Sequence, residues 1–262
     1  MSSYGNCSAI KITSGVEEIR NVPNTWEEAL MQFRWPMNFA DFKDAHWFPG
    51  WFSFDISIGD RCQTMKFEAH FREHAQEDLE VWLEVVFWKL YAIRFAANRT
   101  TLAVAKHFYD NAISEDSLWL ACEHYINEPS IATFDRFRRR FGFRQQVIAV
   151  AATFPAFIAP TSYPMVDTRI AKWVAKFMHA HNKVDLSCPQ LTKPRFSGKG
   201  VLMMTDYPFM RDWTRWCIHT ARKLTKLTPR NWRARDVEMA VFCAYGNKGD
   251  PHPTLHLNEL CN

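Results

Sequence analysis

One acid stands alone in FPAFIAPTSYPMVDTRIAKWV, the stretch from Phe154 to Val174. It is Asp167, placed where a run of Pro, Ala and small polar residues gives way to a periodic apolar segment. Aspartate is a favoured N-cap, and here its side chain would accept from the backbone N–H of Arg169 or Ile170. A carboxylate held still at such a junction is also fit to be the reacting group of an active site, and one residue can hold both roles. The other candidates for chemistry read as structural. His70 and His74 in HFREH sit at i, i+4, a spacing that suits two metal ligands, but no third ligand is evident and the order is not HExxH. DPHPTLH, Asp250 to His256, reads as a tail rather than a metal site. Asp110, Glu115 and Asp116 read as capping and turn residues, and Asp236 with Glu238 as first-turn acids of a closing helix. No metal and no cofactor is expected.

Helices must position Asp167. From Glu77 to Ala97, Leu79, Trp82, Leu83, Val86, Leu90 and Ile93 recur at helical spacing, and Val85, Phe87, Trp88 and Tyr91 widen the apolar face. A helix apolar on several sides belongs at the centre of a bundle. Shorter helices are expected over about 100–108, 114–126 with Ser114 as cap, and 130–140, with another after a turn at Gly142. Further helices are read over 168–179, 206–224 and 234–245, and a long basic loop over 183–200. Residues 1–65 are rich in turn formers, with a short strand suggested by the alternation of Trp51 to Gly59. The fold class is mainly α: an N-terminal extension over 1–65, a helical body over 66–246 and a C-terminal tail over 247–262.

Bulk properties bound the function. At 262 residues the chain can bury a large core, and 47% hydrophobic with 23% charged residues is ordinary for a globular protein. Its 11 Trp and 21 Phe imply a thick aromatic core, or rings that line a groove where flat ligands stack. The first residues hold no basic region followed by an apolar core, and no apolar run reaches the roughly 18 to 20 residues of a membrane span. Seven scattered cysteines, with no CxxC, fit reduced thiols and a cytoplasmic protein. A monomer is expected.

The net charge of +4 hides an asymmetry. Between Pro129 and Arg235 stand 20 Lys and Arg against 5 Asp and Glu, while the rest of the chain is net acidic. Such a division points to a polyanion facing the basic portion. Within it, FDRFRRRFGFRQQVIAVAATF (Phe134 to Phe154) reads as a helix end crowded by Arg138, Arg139 and Arg140. A Gly142 turn, Arg144 and a second helix follow. A helix–turn–helix corner of this kind aims backbone N–H groups and a helix N-terminus outward, which suits a phosphate.

The basic corner and YPMVDTRIAKWV together resemble the helix-hairpin-helix DNA glycosylase superfamily. In that family a glycine-bearing hairpin grips the DNA backbone, and a Val-Asp before a basic amphipathic helix supplies the catalytic carboxylate. The resemblance covers roughly Glu77 to Tyr245, with the hairpin at about 134–153 and the catalytic helix at about 167–180. It implies double-stranded DNA as partner, Asp167 as catalytic residue, and the backbone held by Arg140, Gly142, Arg144, Gln146, Arg169 and Lys172. Trp82, Trp88, Tyr91, Arg94 and Asn98 would line the base pocket or fill the gap left by an extruded base. Only the first hairpin glycine matches, with Arg144 where the family places the second. Gln146 stands where strand-cutting members carry a lysine, so the resemblance implies hydrolysis that leaves an abasic site. Alkylated purines, deaminated pyrimidines and bulky modified cytosines of the kind some phages carry all suit an aromatic pocket. Two other readings stand beside this one: a non-catalytic DNA-binding protein on the same scaffold, and an interaction module with a Trp-rich surface.

Overall fold

The computed structural model describes residues 26–35, 59–91, 106–108, 110–111, 114–141, 148–175, 189–196 and 202–244, with only the backbone at 90, 91 and 244. The expected strand near Trp51, the hairpin turn at 142–147, most of the basic loop and the tail lie outside these residues. What is described is mainly helical, with one isolated antiparallel bridge, Arg34 to Asp60. In chain order the helices are α1 (Trp26–Met31), α2 (Arg61–His74), α3 (Leu79–Tyr91), α4 (Glu115–Asn127) and α5 (Ile131–Arg139). Then come α6 (Ile148–Ala151), α7 (Thr153–Ile158), α8 (Thr168–Trp173), α9 (Tyr207–Leu227) and α10 (Ala234–Ala244). Residues 106–108 and 110–111 are also helical.

Local chemistry sets the helix starts. Asp60 accepts the Gln63 N–H at 2.8 Å, and the Gln63 side chain accepts the Asp60 N–H, a reciprocal box that opens α2. Ser130 and Thr133 do the same for α5. Ser114 precedes α4 as expected, yet its side chain makes no capping bond there; its hydroxyl donates to that of Ser117 instead.

The central position expected of α3 is observed: Val81, Trp82, Leu83, Val85, Val86, Phe87 and Trp88 are all buried. Trp82 packs on Phe71 and Phe154, and Phe154 stacks on Phe141 with centroids 4.8 Å apart. A second aromatic group joins α1 to elements some 190 positions further along the chain. Trp213 and Trp216 of α9 stack at 5.2 Å, and Trp26 of α1 meets Trp216 and Trp232. Helix α1 packs against α10, so residues 26–35 share one core with the helical body rather than forming a separate extension. The Trp35 N–H donates to Gly59 O at 2.7 Å, and a Cβ at 59 would collide with the Trp35 carbonyl, so this crossing requires glycine.

Beneath the aromatics lies a buried ionic cluster. Asp236 accepts two bonds from Arg61, at 3.0 and 3.1 Å, and is also paired with Arg233. Arg233 reaches Glu68 at 2.7 Å, and the fully buried Arg235 pairs with Glu68 and Glu238. Burial opposes ionisation of Asp236, but the Arg233 and Arg61 charges win and hold its carboxyl well below the usual range. Asp236 and Glu238 are therefore more than first-turn acids: Asp236 ties α10 to Arg61 of α2, and Glu238 pairs with Arg235, which itself reaches Glu68 of α2.

The cysteines partly depart from expectation. Cys122 and Cys217 are buried thiols, but Cys62 is disulfide-bonded, so reduced thiols throughout does not hold. No helix among the described residues is long and apolar enough to cross a membrane.

A carboxylate at the start of α3 gives a pH test of this packing. Burial, then the Asp78 charge and hydrogen bond, then Glu84, push the Glu80 carboxyl up to about 7. The folded chain thus keeps a proton there that the unfolded chain releases near 4.5. The stability it contributes is full below the unfolded value and is lost as pH rises through the folded one. Glu80→Gln is expected to raise Tm over the native protein at pH 8, with the gap closing by pH 5, in paired thermal melts.

Candidate active site

The segment before Asp167 is fixed from both sides. Tyr163 Oη donates to Ile126 O at 3.1 Å, and Trp213 Nε1 of α9 donates to Met165 O at 3.0 Å. Met165 and Val166 are buried, and Asp167 then turns extended, φ −142° and ψ 176°, as the N-cap of α8. Its Oδ1 accepts the Ile170 N–H at 2.8 Å, one of the two donors expected from sequence.

The other carboxylate oxygen faces an amine. Lys89 Nζ of α3 lies 3.8 Å from Asp167 Oδ2, an ion pair rather than a hydrogen bond. The same Nζ is 3.9 Å from Met165 Sδ and 5.9 Å from the centroid of the Trp35 ring. Exposure separates the partners: the Lys89 side chain is 5% exposed and that of Asp167 15%, so the carboxylate is the more open to solvent. Burial pulls the Lys89 amine below its usual range; Asp167 opposes this, and the positive charge of Arg235 adds to it. A carboxylate with one oxygen capped and the other paired is rigid, partly open to solvent, and backed by an apolar wall. Such a group can stabilise a developing positive charge or take a proton from a bound water.

The other candidates separate into three groups. Arg169 is half-buried with its guanidinium 4.3 Å over the Phe242 ring, while Lys172 is exposed one turn further on. Both lie on the helix that Asp167 caps. Arg140 closes α5 and is half-buried. Its neighbours Arg138 and Arg139 both bind Asp135, at 2.6 and 2.7 Å, so much of that corner's charge is tied internally. Gly142, Arg144, Gln146, Arg94 and Asn98 lie outside the described residues, as does the side chain of Tyr91.

Trp82 and Trp88 do not form a pocket wall. Both are fully buried, Trp82 with its Nε1 donating to Ala75 O at 2.7 Å and Trp88 packed on Trp35, Phe67 and Phe157. A base stacks only on an accessible ring face, and neither ring has one. Nor is there a Trp-rich surface among the described residues, where Trp119 is half-buried and the other tryptophans are buried. His70 and His74 do meet, with ring centroids 4.7 Å apart, but His70 Nε2 pairs with buried Glu84 at 3.4 Å. Among the described residues no group of three or more His, Cys, Asp or Glu could hold a metal ion. Lys89, the buried partner of Asp167, is the residue of this cluster that sequence reasoning missed. Its signal was a lone base inside the apolar run LEVWLEVVFWKLY.

Compared with family models, curated proteins and solved structures, the chain matches none.

Proposed function

We propose that the chain is a monofunctional DNA glycosylase, which extrudes a damaged or modified base from duplex DNA and hydrolyses its bond to the sugar. The observation that carries this reading is the Asp167 carboxylate, capped through one oxygen, paired with Lys89 through the other, and still partly exposed at the head of a basic helix. The C1′–N bond breaks with its electron pair leaving on the base, and positive charge builds on the sugar. Asp167 faces that charge and takes a proton from the water that adds to C1′, while the departing base gains a proton. Lys89 is a positioning residue: it holds the carboxylate from the buried side and does not meet the sugar. The excess of basic residues between Pro129 and Arg235 supports a nucleic-acid backbone as the partner.

A second reading has its own observation. The bond from Ile170 N–H to Asp167 Oδ1 is what a helix cap alone would make, and it fits a DNA-binding protein without catalysis. Duplexes that each carry one candidate base separate the two. The glycosylase reading expects strand breaks that appear only after alkali, at one class of base. Salt-sensitive binding with no alkali-labile product across the panel would favour the binder.

A further inference from the structure

We propose that the exposed face of α9 is a second DNA-backbone surface, separate from the Asp167 site and turned away from it. This rests on the reading of the chain as a DNA-acting protein. Arg211, Arg215, Arg222 and Lys226 are all exposed. At 3.6 residues per turn they fall within about 60° of arc and run about 22 Å along the helix. The opposite face is core: Trp213, Trp216, Cys217, Thr220 and Leu224 are buried. Asp212 is the only acid on the helix, and it is buried, bonded by the Thr192 hydroxyl and by Arg211.

Two features point to a polyanion rather than to a solvated face. Arg211 with Arg215, and Arg222 with Lys226, are like-charged pairs at i, i+4, a spacing that weakens a helix. Among the described residues, moreover, no acid pairs with Arg215, Arg222 or Lys226. A row of cations held on a rigid rod, at a small cost to the helix, matches the regular charge of a duplex, about one phosphate per 1.7 Å of axis. Trp213, on the buried face, anchors Met165 beside the candidate site, so the row lies on the far side of α9 from Asp167. It therefore grips duplex backbone away from the reacting nucleotide and takes no part in the reaction.

The test is a salt series of duplex binding, by fluorescence anisotropy on an undamaged 20-base-pair DNA. The native chain is compared with a triple variant, Arg215→Gln, Arg222→Gln and Lys226→Gln, and with Arg215→Lys, Arg222→Lys. Each lost phosphate contact should lower the slope of log K against log salt by about 0.9, so the triple variant should lose about two to three and the lysine variant almost nothing. An unchanged slope in the triple variant overturns this surface and leaves the glycosylase reading standing. Failure of the native chain to bind any duplex overturns both. Tighter binding of phosphatidylserine vesicles than of DNA, lost in the triple variant, would assign the row to a membrane surface instead.

Discussion

Replacing Arg235 by Met is expected to cost on the order of 3–5 kcal/mol of folding free energy, the penalty for removing one partner of a buried ion pair. For a chain of this size that is a fall in Tm of roughly 10 °C or more. Arg235 is completely buried, pairs with Glu68 and Glu238, and lies 5.8 Å from the ring centroids of Phe33 and Trp88. Its loss strands Glu238 without a cation in an apolar setting and removes half of the neutralisation at Glu68. Adding Glu238→Gln to Arg235→Met should restore part of the loss, because the stranded charge goes with it. Arg139→Ala is the control, since that guanidinium is 72% exposed beside Asp135 and such pairs contribute little. Thermal melts of the four proteins check this. Equal melting of Arg235→Met and Arg139→Ala would mean that the buried cluster does not hold α10 to α2.

Lys89→Met is expected to do the opposite, sparing the fold and removing function. Methionine fills nearly the same volume, and removing a fully desolvated amine offsets the loss of a partner for Asp167, which keeps its Ile170 N–H bond and some solvent contact, so Tm should change little. The carboxylate keeps its Ile170 N–H bond but loses the charge that fixes Oδ2. On the glycosylase reading, base release at saturating DNA should fall by roughly 10²-fold, the size of effect seen when one preorganised electrostatic group is lost. Duplex affinity should not change, because Lys89 is too buried to meet a phosphate. A sharp drop in Tm with base release intact would assign Lys89 to packing alone.

How far the sequence could be read depended on the range of the interaction. Local patterns served well: the width of the apolar face put α3 at the centre, Ser130 marked the start of α5, and Asp167 was seen to cap α8. Pairings across the chain were closed to it. Arg61 binds Asp236 across 175 positions, and Lys89 meets Met165 across 76, with no periodicity to report either contact. For the same reason the acids of α10 read as first-turn residues when their partners lie elsewhere. Trp88 widens the apolar stripe that carries Trp82 beyond what one buried face needs, which suggested a pocket wall. The excess arises because α3 is enclosed on all sides by Phe71, Phe154, Phe157 and Trp35. Residues 26–35 looked like extension because α1 is only six residues long, too short to show a helical period, yet it carries Trp26 into the C-terminal aromatic group.

The central claim is that the Asp167 carboxylate reacts. Single-turnover base release, with alkali to reveal abasic sites, should compare the native chain with Asp167→Asn on duplexes that each bear one candidate base. Asparagine can still accept the Ile170 N–H through its carbonyl oxygen, so α8 keeps its cap and the fold is preserved. The account predicts alkali-dependent cleavage by the native chain at one class of base, and a loss of at least 10²-fold in the variant with duplex binding and Tm unchanged. Equal base release by both proteins, or none by the native chain while both bind duplex equally, would contradict it and leave Asp167 as a helix cap.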